Sequence, residues 1–242
     1  MKKRNYPLFS FFIFSIAFIL FSSMLVTFFS EIAPKKSTYT FSKASPPLVI
    51  IDAGHGGEDC GAIGKNGCFE KDINLSMSKK LSSILSGIGI KNILTRNSDI
   101  LLYDKNSDYI GQKKHLDMQE RLKIVNSYQN VIFVSVHQNA FPEEKYSGFQ
   151  IYFSPNSQSS QIIAQKLEEA VRLQIQPSNK RKAKSSAGNI YLLDRLECPA
   201  VLLECGFLSN PNECELLCSE EYQNRMCAVI ASCLENFIAA QS

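Results

Sequence analysis

The sequence predicts an α/β fold: a single domain with a largely parallel central sheet of about six strands, flanked by helices on both faces. Three observations lead there. Short, largely apolar, β-rich runs alternate along the chain with longer amphipathic stretches. Such runs suit strands covered on both faces, and the intervening amphipathic stretches suit the helices that cover them. The length of 242 residues, with no internal repeat, accommodates one domain plus an appendage.

The elements follow in order. Leu48–Ile51 is the first apolar run, ending at Asp52 and a glycine-laden loop, DAGHGGEDCGAIGKNGC. Residues 71–87 place Ile73, Leu75, Met77, Leu81, Ile84 and Leu85 among polar residues at spacings that suit a helix, which Gly87 and Gly89 end. Ile90–Leu94 is the next strand. Leu116–Tyr128 repeats the helical pattern, Val131–Val136 is a buried strand and Phe149–Phe153 another. Residues 158–174 form a second long amphipathic helix, and 175–187 a basic, Ser-rich loop. Ile190–Leu193 and Ala200–Leu203 read as strands, and 220–240 as a closing helix.

Ahead of this body, residues 1–29 read as a basic stub and a membrane anchor or signal, and 30–47 as a linker; the domain itself is 48–242. The uncharged stretch 8–29 would span about 33 Å as a helix, enough for the hydrocarbon core. The leading Met-Lys-Lys-Arg marks the end that stays in the cytoplasm, which places the body outside it. A cleaved signal peptide is the alternative, although Glu31 spoils the best cut, after Ala33. The formal charge of +3 divides into +4 on residues 1–36 and −1 on the rest. A near-neutral body lacks the basic stripe of a nucleic-acid binder.

Eight cysteines in an exported protein would ordinarily suggest disulfides, but their placement does not make a framework. They read as small packing residues or free thiols. Cys214 and Cys218 have the spacing of a metal half-site without a second half-site of similar spacing.

Active sites of such sheets form beyond the carboxyl ends of strands. Here those ends carry His55, His137 and Glu204, while Glu70 opens the helix after the glycine loop. Two histidines and a carboxylate make a common catalytic zinc set, and a further carboxylate can serve as general base. Each residue also has a plain structural use: Glu70 favours a helix N-terminus, and Glu204 suits a turn. His115, among lysines at a helix start, reads as solvated. The string GHGGEDCGAIGKNG has neither the Walker order nor a GxGxxG that opens a helix directly, so its glycines are read as turning the backbone around His55.

The runs IIDAGHGGEDCGAIG, FEKDINL, LTRNSD, VSVHQNA and LLECGFLSNPNE, in this order and spacing, resemble the zinc-dependent N-acetylmuramoyl-L-alanine amidases of the Amidase_3 type. The likeness covers nearly all of 48–240. It implies His55, Glu70 and His137 as the ligands of one Zn2+ and Glu204 as the catalytic glutamate. The implied reaction cleaves the amide between the lactyl group of N-acetylmuramic acid and L-Ala of the stem peptide. The single hydrophobic segment, the lack of a wall-binding repeat and the stretch SGFQIYFS…KRKAK…GNIYLLDRLECPAVLLECGFLSN look most like the spore-cortex, germination-specific subgroup. That subgroup acts with a muramic acid deacetylase to form muramic-δ-lactam, and some members are linked to an accessory lipoprotein. Asn139 and the basic residues Lys180, Arg181 and Lys182 are candidates for binding the glycan or its stem peptides; Arg96 and Arg121 are assigned structural roles. Gln138 and Cys205 depart from the family pattern without removing a ligand or the base. The inserted helix that plugs the zinc cleft of regulated relatives has no counterpart in 155–203. Two other readings stand beside this one. In a zinc carboxypeptidase-like wall peptidase, Glu58 of His55-Gly-Gly-Glu58 would replace Glu70 as ligand. The other is a catalytically silent, membrane-anchored wall-binding protein.

Overall fold

A computed structural model describes residues 45–104, 106 and 110–241. The anchor at 1–29 and most of the linker lie outside the described residues. Among those described, no helix is long and apolar enough to cross a membrane.

The domain is a six-stranded, mostly parallel sheet with five helices. Its strands are β1 (Leu48–Ala53), β2 (Asn92–Leu94), β3 (Val131–Asn139), β4 (Gln150–Phe153), β5 (Lys184–Ser185) and β6 (Ala200–Phe207). The helices are α1 (Glu70–Gly87), α2 (Lys113–Asn126), α3 (Gln158–Gln174), α4 (Pro211–Cys218) and α5 (Glu220–Ala239). Spatial order is β2-β1-β3-β6-β4-β5, parallel throughout except where β4 runs antiparallel to β6. β2 and β3 thus lie on opposite sides of β1, and a crevice opens at the carboxyl ends of β1 and β3, where such a switch in direction makes a binding site.

Side chains alternate between the two faces along each strand. On one face Val49, Ile51, Ile132, Val134, Val136, Val201 and Leu203 pack with residues of α1, α3, α4 and α5 in the main core. On the other, Ile50, Val131, Phe133, Ala200 and Leu202 meet Val125 of α2 and the segment Leu192–Cys198 in a smaller one. Burying a Leu, Ile or Val fully is worth about 1.5–3 kcal/mol, so coverage of both faces specifies the strand register.

The structure corrects the reading of Ile190–Leu193, which is a series of turns and not a strand. Its apolar side chains are instead spent on closing the smaller core, where Leu192 and Leu193 are buried. The sixth strand is the two-residue β5, inside the stretch expected to be loop. β1 and β3 run past their expected apolar ends because Asp52 and Gln138 are buried in the sheet with polar partners, and β6 continues to Phe207. α4 was not foreseen. Its signal is a capping sequence, with Asn210 Oδ1 accepting from the Glu213 amide at 3.1 Å and Pro211 at the first helical position.

Candidate active site

The face that carries the smaller core turns polar toward the carboxyl ends of the strands. Continuing the two-residue period from Ile50, Phe133 and Leu202 brings Asp52, Ser135, His137 and Glu204 onto that face. Register sets the pairs side by side: Asp52 opposite Ser135, and His137 opposite Glu204. A bulge between His137 and Asn139 then breaks the β3–β6 register and re-aims the chain beyond the site.

The loop after β1 brings His55 to the same place, and the first turn of α1 brings Glu70. His55 Nε2 lies 3.2 Å from Glu70 Oε2, and His137 Nδ1 lies 3.0 Å from Glu70 Oε1. One ligand atom from each of His55, Glu70 and His137 can be chosen so that all three lie within 4.8 Å of one another. Close approach at this point requires a residue without a side chain, since a Cβ on Gly54 would fall 2.2 Å from the His137 ring.

Two of the three, His55 and Glu70, are held from behind. His55 Nδ1 meets Asp59 Oδ2 at 2.9 Å, a carboxylate that orients the ring and fixes which nitrogen faces the cluster. Glu70 accepts from the Ala62 amide at 2.9 Å, the Gln138 amide at 3.1 Å and Asn74 Nδ2 at 3.3 Å. The Gln138 side chain donates to Asn74 Oδ1 at 3.2 Å, so this departure from the family pattern supports the carboxylate instead of disturbing it.

His55 has a φ of 60°, the left-handed region that non-glycine residues seldom occupy. Arg121 counters this strain: its Nη2 donates to the His55 carbonyl at 2.8 Å, and its guanidinium pairs with Asp52 and Asp117. Arg96 donates to the carbonyls of Ala53, Gly54 and Lys71. The rest of LTRNSD serves the same loop, with Thr95 on Asp52 at 2.7 Å and Asp99 on the Gly57 amide at 2.7 Å. The structural roles expected for Arg96 and Arg121 are those the geometry gives them.

The electrostatics divide the carboxylates. Burial would raise the pKa of Glu70, but hydrogen bonds and charge from His137 and His55 hold it well below the usual carboxylate range. Burial would lower that of His55, yet Glu70 and then Asp59 raise it to about 9. Glu204 goes the other way. Burial pushes it up to about 7, with the charge of His137 opposing and that of Glu70 adding. Its Oε2 is buried without a hydrogen-bond partner. Two carboxylates of one site are thus driven to opposite protonation behaviour, the pattern that separates a ligand from an acid–base group.

Two imidazoles and a carboxylate facing one point form a donor set that suits zinc. The alternative ligand Glu58 does not join it: its side chain is 66% exposed and pairs with Lys113 at 2.6 Å. Beside the cluster a cavity of about 300 Å3 is lined by His55, His137, Ser135, Tyr191 and Leu202, among others. His115 is exposed, with its ring against Tyr191.

The other candidates lie apart from the cluster. Asn139 ends β3, and its carbonyl accepts from the Leu208 amide at 2.8 Å. Lys180 lines a second cavity of about 490 Å3 with Gly148, Gln176, Arg181 and Glu213. Arg181 lies over the Phe207 ring at 4.6 Å and donates to the Ser147 carbonyl. Lys182 pairs with Glu168 at 3.3 Å. Reading the sequence missed Asp59, Asn74 and Tyr152, whose pKa burial raises and the charge of Glu204 raises further. An acid four residues after His55 and an Asn four residues after Glu70 were the available signals.

The family profile of Amidase_3, N-acetylmuramoyl-L-alanine amidase, matches residues 49–236. The germination-specific N-acetylmuramoyl-L-alanine amidase of Bacillus subtilis is 33% identical over 186 residues, covering 77% of each chain. The CwlD amidase of Clostridioides difficile, solved in complex with the GerS lipoprotein, is 35% identical with a TM-score of 0.75, over 80% of this chain and 99% of that one. AmiC2 of Nostoc punctiforme, also an N-acetylmuramoyl-L-alanine amidase, is 28% identical with a TM-score of 0.68, over 80% and 97% of the two chains.

Proposed function

This chain belongs to the Amidase_3 family of N-acetylmuramoyl-L-alanine amidases, and from that premise we propose a zinc-dependent mechanism and a place in the endospore cortex. Its reaction is hydrolysis of the amide between N-acetylmuramic acid and L-Ala in peptidoglycan. His55, Glu70 and His137 hold the ion. A zinc ion there supplies Lewis acidity, polarising a carbonyl and making water acidic near neutral pH.

Glu204 carries the proton. Burial raises its pKa above the ordinary carboxylate value, which suits it to take a proton from the attacking water and return it to the departing L-Ala nitrogen. The unpartnered Oε2 is the observation that supports this role: among the described residues no hydrogen-bond partner competes for the proton at that atom. Asp59 and Asn74 keep the His55 ring and the Glu70 carboxylate oriented. Asn139, Lys180, Arg181 and Lys182 are assigned to the glycan strand and its stem peptides along the rim.

The cortex role rests on likeness to the germination-specific and CwlD amidases. In this reading residues 1–29 export the chain and anchor it, and the domain works outside the cytoplasm on cortex peptidoglycan. A muramic acid deacetylase then converts the stripped muramic acid to the δ-lactam. An accessory lipoprotein is the matching partner, as in the C. difficile complex.

Two measurements test the proposal. Glu204→Gln should lower the release of stem peptide from muropeptides by about 10²–10⁴-fold, with zinc content unchanged. Unaltered turnover would remove Glu204 from the mechanism. Wild-type protein that binds the glycan but releases no peptide would instead favour the silent wall-binding reading. Spores of a strain lacking this gene should contain no muramic-δ-lactam; an unchanged cortex refutes the cortex role.

A further inference from the structure

A second group of metal-ligating side chains lies outside the site described above. Cys214 and Cys218 sit four residues apart on one side of α4, the spacing at which helical side chains are neighbours. The fold supplies what the sequence lacked, a third thiol from a distant loop. Cys68 Sγ lies 3.7 Å from Cys214 Sγ, and the Sγ atoms of Cys68, Cys214 and Cys218 all fall within 4.8 Å of one another. Asn66 stands beside all three: its Oδ1 accepts from Cys214 at 3.2 Å and from the Cys68 amide at 3.1 Å, and its Nδ2 points to Cys218 at 3.5 Å.

Two physical arguments read this cluster as a cation site. Four ligands set about 2.3 Å from a tetrahedral zinc are about 3.8 Å apart, which is the Cys68–Cys214 spacing. A disulfide would need about 2.05 Å and would leave one of the three thiols unused. The backbone is also cleared for the sulfurs. A Cβ on Gly64 would stand 2.5 Å from Cys68 Sγ and 2.7 Å from Cys214 Sγ, so only glycine lets the turn at 64–67 close over them.

We propose that Cys68, Cys214 and Cys218 bind a second, structural divalent cation of the zinc class, with Asn66 Oδ1 or water in the fourth position. Binding displaces three thiol protons and leaves the centre with a net charge of −1. Cys68 lies two residues before Glu70, and α4 follows β6, which carries Glu204. The cation would therefore staple the loop that delivers the Glu70 carboxylate to the helix that follows the catalytic glutamate.

The test uses the full chain, purified under reducing conditions, with His55→Ala and His137→Ala together emptying the other centre. Loaded with Co2+ and dialysed, this variant should retain one cobalt per chain and show a strong thiolate-to-cobalt charge-transfer band. Adding Cys218→Ser should abolish that band. A folded variant by circular dichroism that keeps no cobalt, or keeps it without the band, overturns the proposal. Should the double variant not fold, wild-type protein decides: saturating zinc should slow alkylation of Cys68, Cys214 and Cys218 at least tenfold relative to chelator-treated protein. Equal rates, or a Cys68–Cys214 disulfide found by mass spectrometry in the chain as isolated, refute it. Failure of the catalytic zinc reading looks different, since wild-type protein would then hold a single cobalt that still shows the thiolate band.

Discussion

The loop between β1 and α1 is tethered at its two ends by unlike chemistry. At the His55 end, Arg121 and Arg96 enter from later elements and bind the loop carbonyls, with Asp52, Thr95 and Ser135 completing a network buried from solvent. At the Glu70 end the Ala62 and Gln138 amides and Asn74 hold the carboxylate, and the chain leading to it is tethered by three cysteines between a glycine turn and α4, one of them exposed. The first is complete within the polypeptide, while the second is three donors converging on a point. The difference teaches that rigidity around one active site can be built into the fold at one ligand and, in the loop leading to the next, left conditional on a bound ion.

The largest expected effect comes from breaking the built-in end. Arg121→Met leaves Asp52 and Asp117 buried without their cation, and should cost about 3–5 kcal/mol in chemical denaturation. It should also reverse a pH dependence. In the wild type the Asp52 pKa lies below its ordinary value: burial opposes this, but Arg121 and the hydroxyls of Thr95 and Ser135 win. The associated stability is fully present above about pH 4, the unfolded value, and is lost as the pH falls through the folded one. Without Arg121, burial outweighs the remaining Thr95 and Ser135 hydroxyls, and the folded pKa of Asp52 rises above the unfolded value. The variant, compared with wild type in the same chelating buffers, should then gain stability from pH 7 down to about pH 4. A parallel pair of stability–pH curves would show that Arg121 does not neutralise Asp52.

That end was only half legible beforehand. The strands were visible because Val131–Val136 is apolar apart from Ser135, and the motif histidines stood out at strand ends. Asp52 and Arg121 are 69 residues apart, however, and no local pattern announces that they meet. The thiol end shows the same limit more sharply, since Cys68 and Cys214 are 146 residues apart and only the β6–α4 connection brings them together. Ile190–Leu193 failed for another reason: four apolar residues can fill a core from turns as readily as from a strand. Glu204 could be placed from its strand end, but its raised pKa depends on burial that only the assembled sheet provides.

The conditional end should respond to ions where the built-in end does not. In the background lacking His55 and His137, zinc at about 100 times its dissociation constant should raise the unfolding free energy by about 2.7 kcal/mol. Cys214→Ser should remove most of that increment and cost about 1 kcal/mol or less in chelator, where only a weak hydrogen bond is altered. An equal zinc response with and without Cys214 would place the ion elsewhere.

The smallest effect tests whether the first tether holds its ligand under strain. His55→Ala and His55→Gly both delete the imidazole, so they should lose catalytic zinc alike, but they differ in backbone cost. At a φ of 60° an alanine is disfavoured by about 1–2 kcal/mol and a glycine is not. Glycine loses more unfolded-state freedom on folding, about 0.4–1 kcal/mol against alanine. The first quantity exceeds the second, so His55→Gly should be the more stable of the two by about 0.5–1 kcal/mol in matched denaturation curves. If alanine is equal or better, the loop relaxes once the imidazole is gone, and the hydrogen bond from Arg121 to the His55 carbonyl follows the conformation instead of enforcing it. If glycine wins, the strain belongs to the backbone whatever side chain it carries, and the buried arginine holds it there before any ion arrives.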